Sequence, residues 1–449
     1  MSTASEPMSR SLGATPMDTD VIVVGSGPGG ATVARELTRR GQRVVVLERG
    51  QDHRRAPYYG TYLGAMLYTD RAALLYTREG VNIVRPLMAG GATSMYCGCS
   101  APPPDWFKNY GVDLDQPVAE AEAELRIAPL PPELRGAAST RLAEAACDLG
   151  MDWRPQPKFM DPTRARRFNC GAHCMLGCRC GAKWNAAEWI DEAVRGGAHF
   201  VTGAMVEDLL IEGGQVVGVR GRVGHTPFRL RASVVVLAAG GIGTPRILEQ
   251  AGFPDAGRGM AIDATLMVYG VAPHANQGHE PPMTWYYEDL ERGYMLSTLI
   301  DPWLMYPIIT ALKGPRYALT WPRWGRTLGV MIKLKDHVSG DVRQGHTLSK
   351  PLTDDDRARL AHAEATARRI LARAGVDGAT VFSTPIRGTH PSATVRIGDM
   401  LDTDLQTSLR GLYVCDASVF PEALARPTVL TIIALGKRLA AHLSRDRRG

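Results

Sequence analysis

The run from Asp20 to Gly50, DVIVVGSGPGGATVARELTRRGQRVVVLERG, constrains this chain more than any other. Val21 to Val24 are all β-branched, as befits a strand buried on both faces of a parallel sheet. Gly25, Gly27 and Gly30 follow as G-x-G-x-x-G. That pattern permits a tight turn, close approach of the backbone to a pyrophosphate, and close contact between helix and strand. The spacing predicts a helix from about Pro28 to Arg40, whose N-terminal N–H groups and positive dipole end would face an anion. A second strand, RVVVLERG, ends in Glu48, 23 residues beyond Gly25, where a carboxylate accepts hydrogen bonds from ribose hydroxyls. Strand, glycine turn, helix, strand and acid in this order predict a Rossmann unit for an ADP-containing dinucleotide. FAD and NAD both satisfy it.

With 449 residues, 45% hydrophobic and 22% charged, the chain has ordinary globular composition and enough length for two or three domains. Its net charge of +6 is mild, with no like-charge run or basic–aromatic stripe, which argues against a nucleic-acid partner. Residues 1–17 are polar, small and proline-spotted, and are expected to be a disordered tail without a secretory apolar core. The longest apolar run, 294–312, is interrupted by Asp301 and two prolines, so no bilayer-spanning segment is expected. A cytoplasmic location follows, where reduced thiols count against a disulfide framework. Peripheral contact with the inner membrane face stays open.

Three later segments bear on the cofactor: MAGGATSMYCGCS (88–100), RASVVVLAAGGIGTPRIL (231–248), and THPSATVRIGD through LRGLYVCDASVFPEALARPTVLTIIALGKRLAAHL (389–443). In this order the segments resemble those of the glucose–methanol–choline (GMC) oxidoreductases, which are FAD enzymes. The resemblance implies an α/β fold: a Rossmann-like FAD-binding domain with an interleaved α+β substrate domain built on an antiparallel sheet. The FAD domain would comprise 18–105, 200–265 and 385–445, and the substrate or cap domain 106–199 and 266–384. Cofactor contacts are implied at Gly25, Gly27, Gly30, Glu48, Gly91, Ser94, Cys97, Val206, Ala239, Asp416, Ala417, Pro427 and Thr428. The helix beginning near Pro427 and Thr428 would turn its dipole toward the flavin pyrimidine ring.

The same resemblance implies oxidation of a CH–OH group, with a base taking the hydroxyl proton as hydride passes to flavin N5. His390, in His-Pro-Ser-Ala-Thr (390–394), matches the family's first catalytic position. Histidine suits the role, because it can be neutral before the reaction and charged after it. At the second position the family has histidine or asparagine, and this chain has Pro427. The neighbouring Arg426 is therefore the second catalytic candidate, as a fixed positive charge. Cys97 is another departure, standing where the family often has asparagine. The first reading is an FAD-dependent dehydrogenase or oxidase of a hydrophobic alcohol. A flavin-dependent reductase, isomerase or desaturase of a lipophilic substrate is the second, and a non-catalytic electron-transfer flavoprotein the third.

The stretch 281–324, rich in Met, Trp, Tyr, Leu and Pro, reads equally as the lining of an apolar pocket, a membrane-dipping surface or plain core. Cys170, Cys174, Cys178 and Cys180 stand in C-x3-C-x3-C-x-C spacing before a predicted helix in GAKWNAAEWIDEAVRGGA. Some family members carry an iron–sulfur cluster here, which would pass single electrons to an acceptor protein or quinone. Such clusters need three or four thiolates on a glycine-bearing loop. Buried structural thiols, zinc and a disulfide remain alternatives.

Overall fold

The computed structural model describes residues 19–445 except 169–170, 344 and 346; the tail expected over 1–17 lies outside the described residues. The β-branched runs become a five-stranded parallel sheet ordered 412–414, 234–237, 21–24, 44–48, 199–202. Val21–Val24 and Val44–Glu48 are buried throughout, the consequence of helices covering both faces. The helix Pro28–Arg39 packs against Val429–Arg445 and Ala186–Arg195. Ala186–Arg195 is the helix predicted after the cysteine patch, and it starts with a capping box between Asn185 and Glu188. An antiparallel meander, 204–212, 215–223 and 226–231, is inserted before the 234–237 strand.

A second sheet of nine strands is almost wholly antiparallel; only 82–83 and 387–388 pair in parallel. Its central strands are Ala264–Val271, Thr327–Leu334, Tyr294–Thr298 and Trp285–Asp289. Alternation sorts their side chains to the two faces. Leu266, Val268, Leu296, Val330 and Ile332 pack on the long helix Asp354–Arg373 through Leu360, Ala363, Ala367 and Ile370. Met267, Tyr269, Met295 and Met331 point the other way, into a separate cluster with Cys99, Met283, Tyr306 and Trp324. Much of the 281–324 stretch is thus strand and core, and its remainder forms the helix Met305–Ala311 and the 3-10 segment Pro315–Arg326. Thr265 and Lys333 occupy the same sheet face as the methionines.

Candidate active site

A cavity of about 1170 Å³ opens at the carboxyl end of the parallel sheet, between the glycine turn, the meander and the start of the Val429–Arg445 helix. That is where open α/β sheets place their ligands. Ten sequence-predicted residues line it: Gly25, Gly27, Glu48, Gly91, Val206, Ala239, His390, Asp416, Ala417 and Thr428. Gly25 has φ +107°, and a Cβ there would meet the Ala238 carbonyl oxygen at 2.2 Å. A Cβ on Gly27 would meet no protein atom within 4 Å and would stand in the cavity instead. Gly91 lies against Gly27, its Cβ position 3.0 Å from the Gly27 Cα. The two glycines therefore leave a cradle free of side chains, next to a helix start that no side chain caps. Arg85 and Arg246, on the same wall, are both pushed below the ordinary arginine range by burial and supply positive charge to it.

Glu48 is held in place by its own neighbours. One carboxylate oxygen accepts from Ser26 N–H at 2.9 Å and Ser26 Oγ at 2.7 Å, and the other from Gly50 N–H at 2.8 Å. Asp416 is similarly fixed: it accepts from Gly240 N–H, Thr244 Oγ1 and Ser418 N–H, and burial raises its pKa. Side-chain-free cradle, helix start, ribose-directed acid and arginine-bearing wall together fit a dinucleotide.

Gly30, Ser94, Cys97, Pro427 and Arg426 stand off the cavity wall. Gly30 works beneath the turn, where a Cβ would strike the Gly25 carbonyl oxygen at 2.0 Å. Ser94 is fully buried and bonds the Ala89 carbonyl and Asn185 Nδ2, each at 3.0 Å. The Cys97 carbonyl accepts from Lys158 Nζ at 2.9 Å, and burial pushes its thiol up to about 12. Pro427 is buried. Arg426 pairs with Glu288 at 3.1 Å and donates to the Pro102 carbonyl at 3.2 Å, so it is turned toward the second sheet.

His390 lines the cavity, and its Nδ1 lies 2.7 Å from Asp263 Oδ2. The carboxylate can only accept, so Nδ1 carries the proton and Nε2 is left as the basic nitrogen. Asp263 is 1% exposed and its other oxygen accepts from Ala425 N–H at 2.9 Å, which fixes the pair. Burial first, then the charge of Lys333, lowers the His390 pKa, and Asp263 opposes this. The histidine is thus kept neutral and ready to accept a proton. Neither Asp263 nor Lys333 carries a local motif. Each lies more than 50 residues from His390 in sequence and joins it only through the second sheet.

Of the cysteine patch, Cys170 lies outside the described residues. Cys174 is buried, and Cys178 and Cys180 have their sulfurs 3.7 Å apart. None of the three is in a disulfide. The contact with Cys180, and then burial, push the Cys178 thiol far above its usual range. Among the described residues these three do not bring three ligand atoms within 4.8 Å of one another, the reach of a single ion such as zinc.

Comparison with known proteins agrees with this architecture. An FAD-binding domain model matches residues 18–63. Two GMC oxidoreductase models, N- and C-terminal, match 98–266 and 346–436, together more than half of the chain. The chain belongs to the GMC oxidoreductase family. It is an FAD-dependent oxidoreductase. An uncharacterized GMC-type oxidoreductase of Mycobacterium tuberculosis is 28% identical to this GMC protein, over 94% of this chain and 75% of its own. An uncharacterized protein of Methanocaldococcus jannaschii is also 28% identical, over 94% of this chain and 99% of its own. A long-chain-alcohol oxidase of Arabidopsis thaliana is 24% identical, over 92% of this chain and 65% of its own. In fold, this GMC protein is similar to pyridoxine 4-oxidase from Mesorbium loti, with TM-score 0.71 and 18% identity over 95% of this chain and 99% of that one.

Proposed function

We propose that this GMC oxidoreductase oxidises a hydrophobic alcohol, with His390 as the base. The reading is carried by the His390–Asp263 pair on the cavity wall, with Nε2 unprotonated. Bound in the cavity, FAD supplies the acceptor for the hydride that leaves the carbinol carbon. His390 Nε2 takes the hydroxyl proton, and the Asp263 carboxylate stabilises the imidazolium that results. Gly27, Gly91 and the start of the Pro28–Arg39 helix would hold the pyrophosphate, and Glu48 the ribose. Thr428, at the head of the Val429–Arg445 helix, would face the ring.

The hydrophobic substrate is read from the long-chain-alcohol oxidases among the relatives. We further propose that such a substrate is collected from an anionic lipid surface. Leu319, Leu312, Ile308 and Trp303 are 78, 63, 58 and 52% exposed. Lys313, Arg316, Arg323 and Arg326 are exposed among them, with no acid between Asp301 and Asp336. Apolar side chains ringed by cations suit a headgroup boundary.

The decisive test is anaerobic mixing of the FAD-loaded protein with 1-dodecanol while flavin absorbance is followed. Bleaching is expected in the wild type, and His390→Ala should slow it about 10²- to 10⁴-fold. Native-rate reduction of the variant would remove His390 from the role of base.

A further inference from the structure

Asp263 holds His390 from an unusual backbone. Its φ is +48°, in the left-handed region that residues with a Cβ seldom occupy. Such a conformation persists only where the surroundings over-determine it. The turn serves His390 twice. The Asp263 carboxylate accepts from His390 Nδ1 at 2.7 Å and from Ala425 N–H at 2.9 Å. One residue earlier, the Ile262 carbonyl accepts from Thr389 N–H at 3.1 Å and from His390 N–H at 3.0 Å. Ring and backbone of the histidine are both held by residues 262 and 263.

A second carboxylate grips this turn. Asp336 Oδ1 accepts from Ala264 N–H at 2.9 Å, and Oδ2 from Ile262 N–H at 3.1 Å. One side chain therefore holds the amides on both sides of the left-handed residue. Asp336 Oδ2 also pairs with Lys350 Nζ at 2.7 Å, and both side chains are fully buried. Lys350 Nζ donates further to the carbonyls of Met260 and His337 and to Ser339 Oγ. Burial raises the Asp336 pKa, and Lys350 opposes this. Each hydrogen-bond partner of Asp336 is a donor, so an asparagine there would turn its NH2 group toward one of them. A fully buried pair gives up the hydration of two charges, and apolar residues of similar volume often serve stability as well. Neither Asp336 nor Lys350 lines the cavity.

Resting on alcohol oxidation at His390, we propose that Asp336, backed by Lys350, is a positioning residue for that reaction. It fixes the turn at Asp263, and Asp263 fixes the proton on His390 Nδ1. His390 Nε2 is then free, and correctly aimed, to take the hydroxyl proton. Asp336 touches neither substrate nor flavin and acts only through Asp263.

The test compares FAD-loaded wild type, Asp336→Asn, Asp263→Ala and the double variant. Two quantities are read: the limiting rate of anaerobic flavin reduction by 1-dodecanol, and the nitrogen NMR signals of labelled histidine, with His390→Ala identifying those of His390. Wild-type His390 is expected as the single Nδ1-protonated tautomer, and Asp336→Asn as a mixture of the two. Asp336→Asn should lower the limiting rate about 10- to 100-fold while KM changes less than about threefold. Because Asp336 acts through Asp263, adding Asp336→Asn to Asp263→Ala should slow reduction less than about twofold further. A native tautomer and native rate in Asp336→Asn overturn the proposal, as do losses that multiply in the double variant. If 1-dodecanol does not reduce the wild-type flavin, alcohol oxidation itself fails, while the tautomer comparison still decides whether Asp336 sets His390. If Asp336→Asn does not fold, Lys350→Gln, which keeps an N–H for Asp336 but removes the charge, is read in the same way.

Discussion

His390 turns on the location of one proton. With Asp263 as acceptor at 2.7 Å, the proton sits on Nδ1, and in the proposed oxidation Nε2 is the base. Burial and Lys333 hold the imidazole below its ordinary value of 6.5, so the base form persists into acid. A base works when deprotonated, so activity is present above this lowered pKa and is lost as pH falls through it. The acid limb of kcat/KM is therefore expected below pH 6.5. Lys333→Met should move that limb upward, since it removes a nearby positive charge. Asp263→Ala is expected to lower kcat about 10²-fold, by freeing the ring from its working orientation. It should also destabilise the protein by about 1–3 kcal/mol, because Ala425 N–H loses its buried acceptor. A stopped-flow pH series with thermal melts on the three proteins checks all of this; an unmoved acid limb in Lys333→Met would show that the lysine charge does not reach His390.

For elements, the strand–turn–helix at the N-terminus behaves as its glycine spacing says, with the helix running Pro28–Arg39 against a prediction of 28–40. Glycines in this turn serve different ends. A Cβ on Gly29 would lie 1.8 Å from the Cys415 carbonyl oxygen, whereas one on Gly27 meets nothing within 4 Å. Gly29→Ala is thus expected to destabilise the protein by about 1–3 kcal/mol. Gly27→Ala should melt near the apo wild type but weaken FAD retention about tenfold or more, since the methyl stands where the backbone must approach the pyrophosphate. Differential scanning with flavin released and quantified separates the two; a Gly27→Ala protein holding FAD normally would mean the phosphates lie elsewhere. The alternating strands of the second sheet were less legible. The stretch 281–324 reads as one apolar block in sequence, yet the fold divides it between strands, core and an exposed patch. Composition alone does not say which face of a hydrophobic run is covered.

In the whole molecule, no helix among the described residues is long and apolar enough to cross a membrane. Contact with lipid would instead use the exposed 303–321 surface, which the Leu304 N–H bond to Tyr62 OH ties to Leu63, Met66 and Leu67 on the helix Tyr62–Leu67. Vesicles containing phosphatidylserine are expected to pull the protein down at low salt, and binding should fall as salt screens Lys313, Arg316, Arg323 and Arg326. The double substitution Ile308→Asp and Leu312→Asp should reduce that binding about tenfold or more without changing reduction by a water-soluble alcohol. Equal sedimentation of this variant would sink the lipid-surface reading.

The N-terminal motif by itself pointed to an ADP-containing dinucleotide, and the resemblance carried by 88–100, 231–248 and 389–443 implied that the protein is a flavin oxidoreductase. Tight turns, glycine approach and strand burial are local properties, written in residues that stand close together in the chain. What only the tertiary structure decided is the company that the reactive groups keep. Asp263 lies 127 residues before His390 yet sets its tautomer, and the fold turns Arg426 toward Glu288 and off the cavity wall. Lys333 looks like any other lysine in sequence. Sheet register buries it behind Thr389, from where its charge helps to lower the His390 pKa. Charge balance depends on distances across the fold, which no local pattern of residues records.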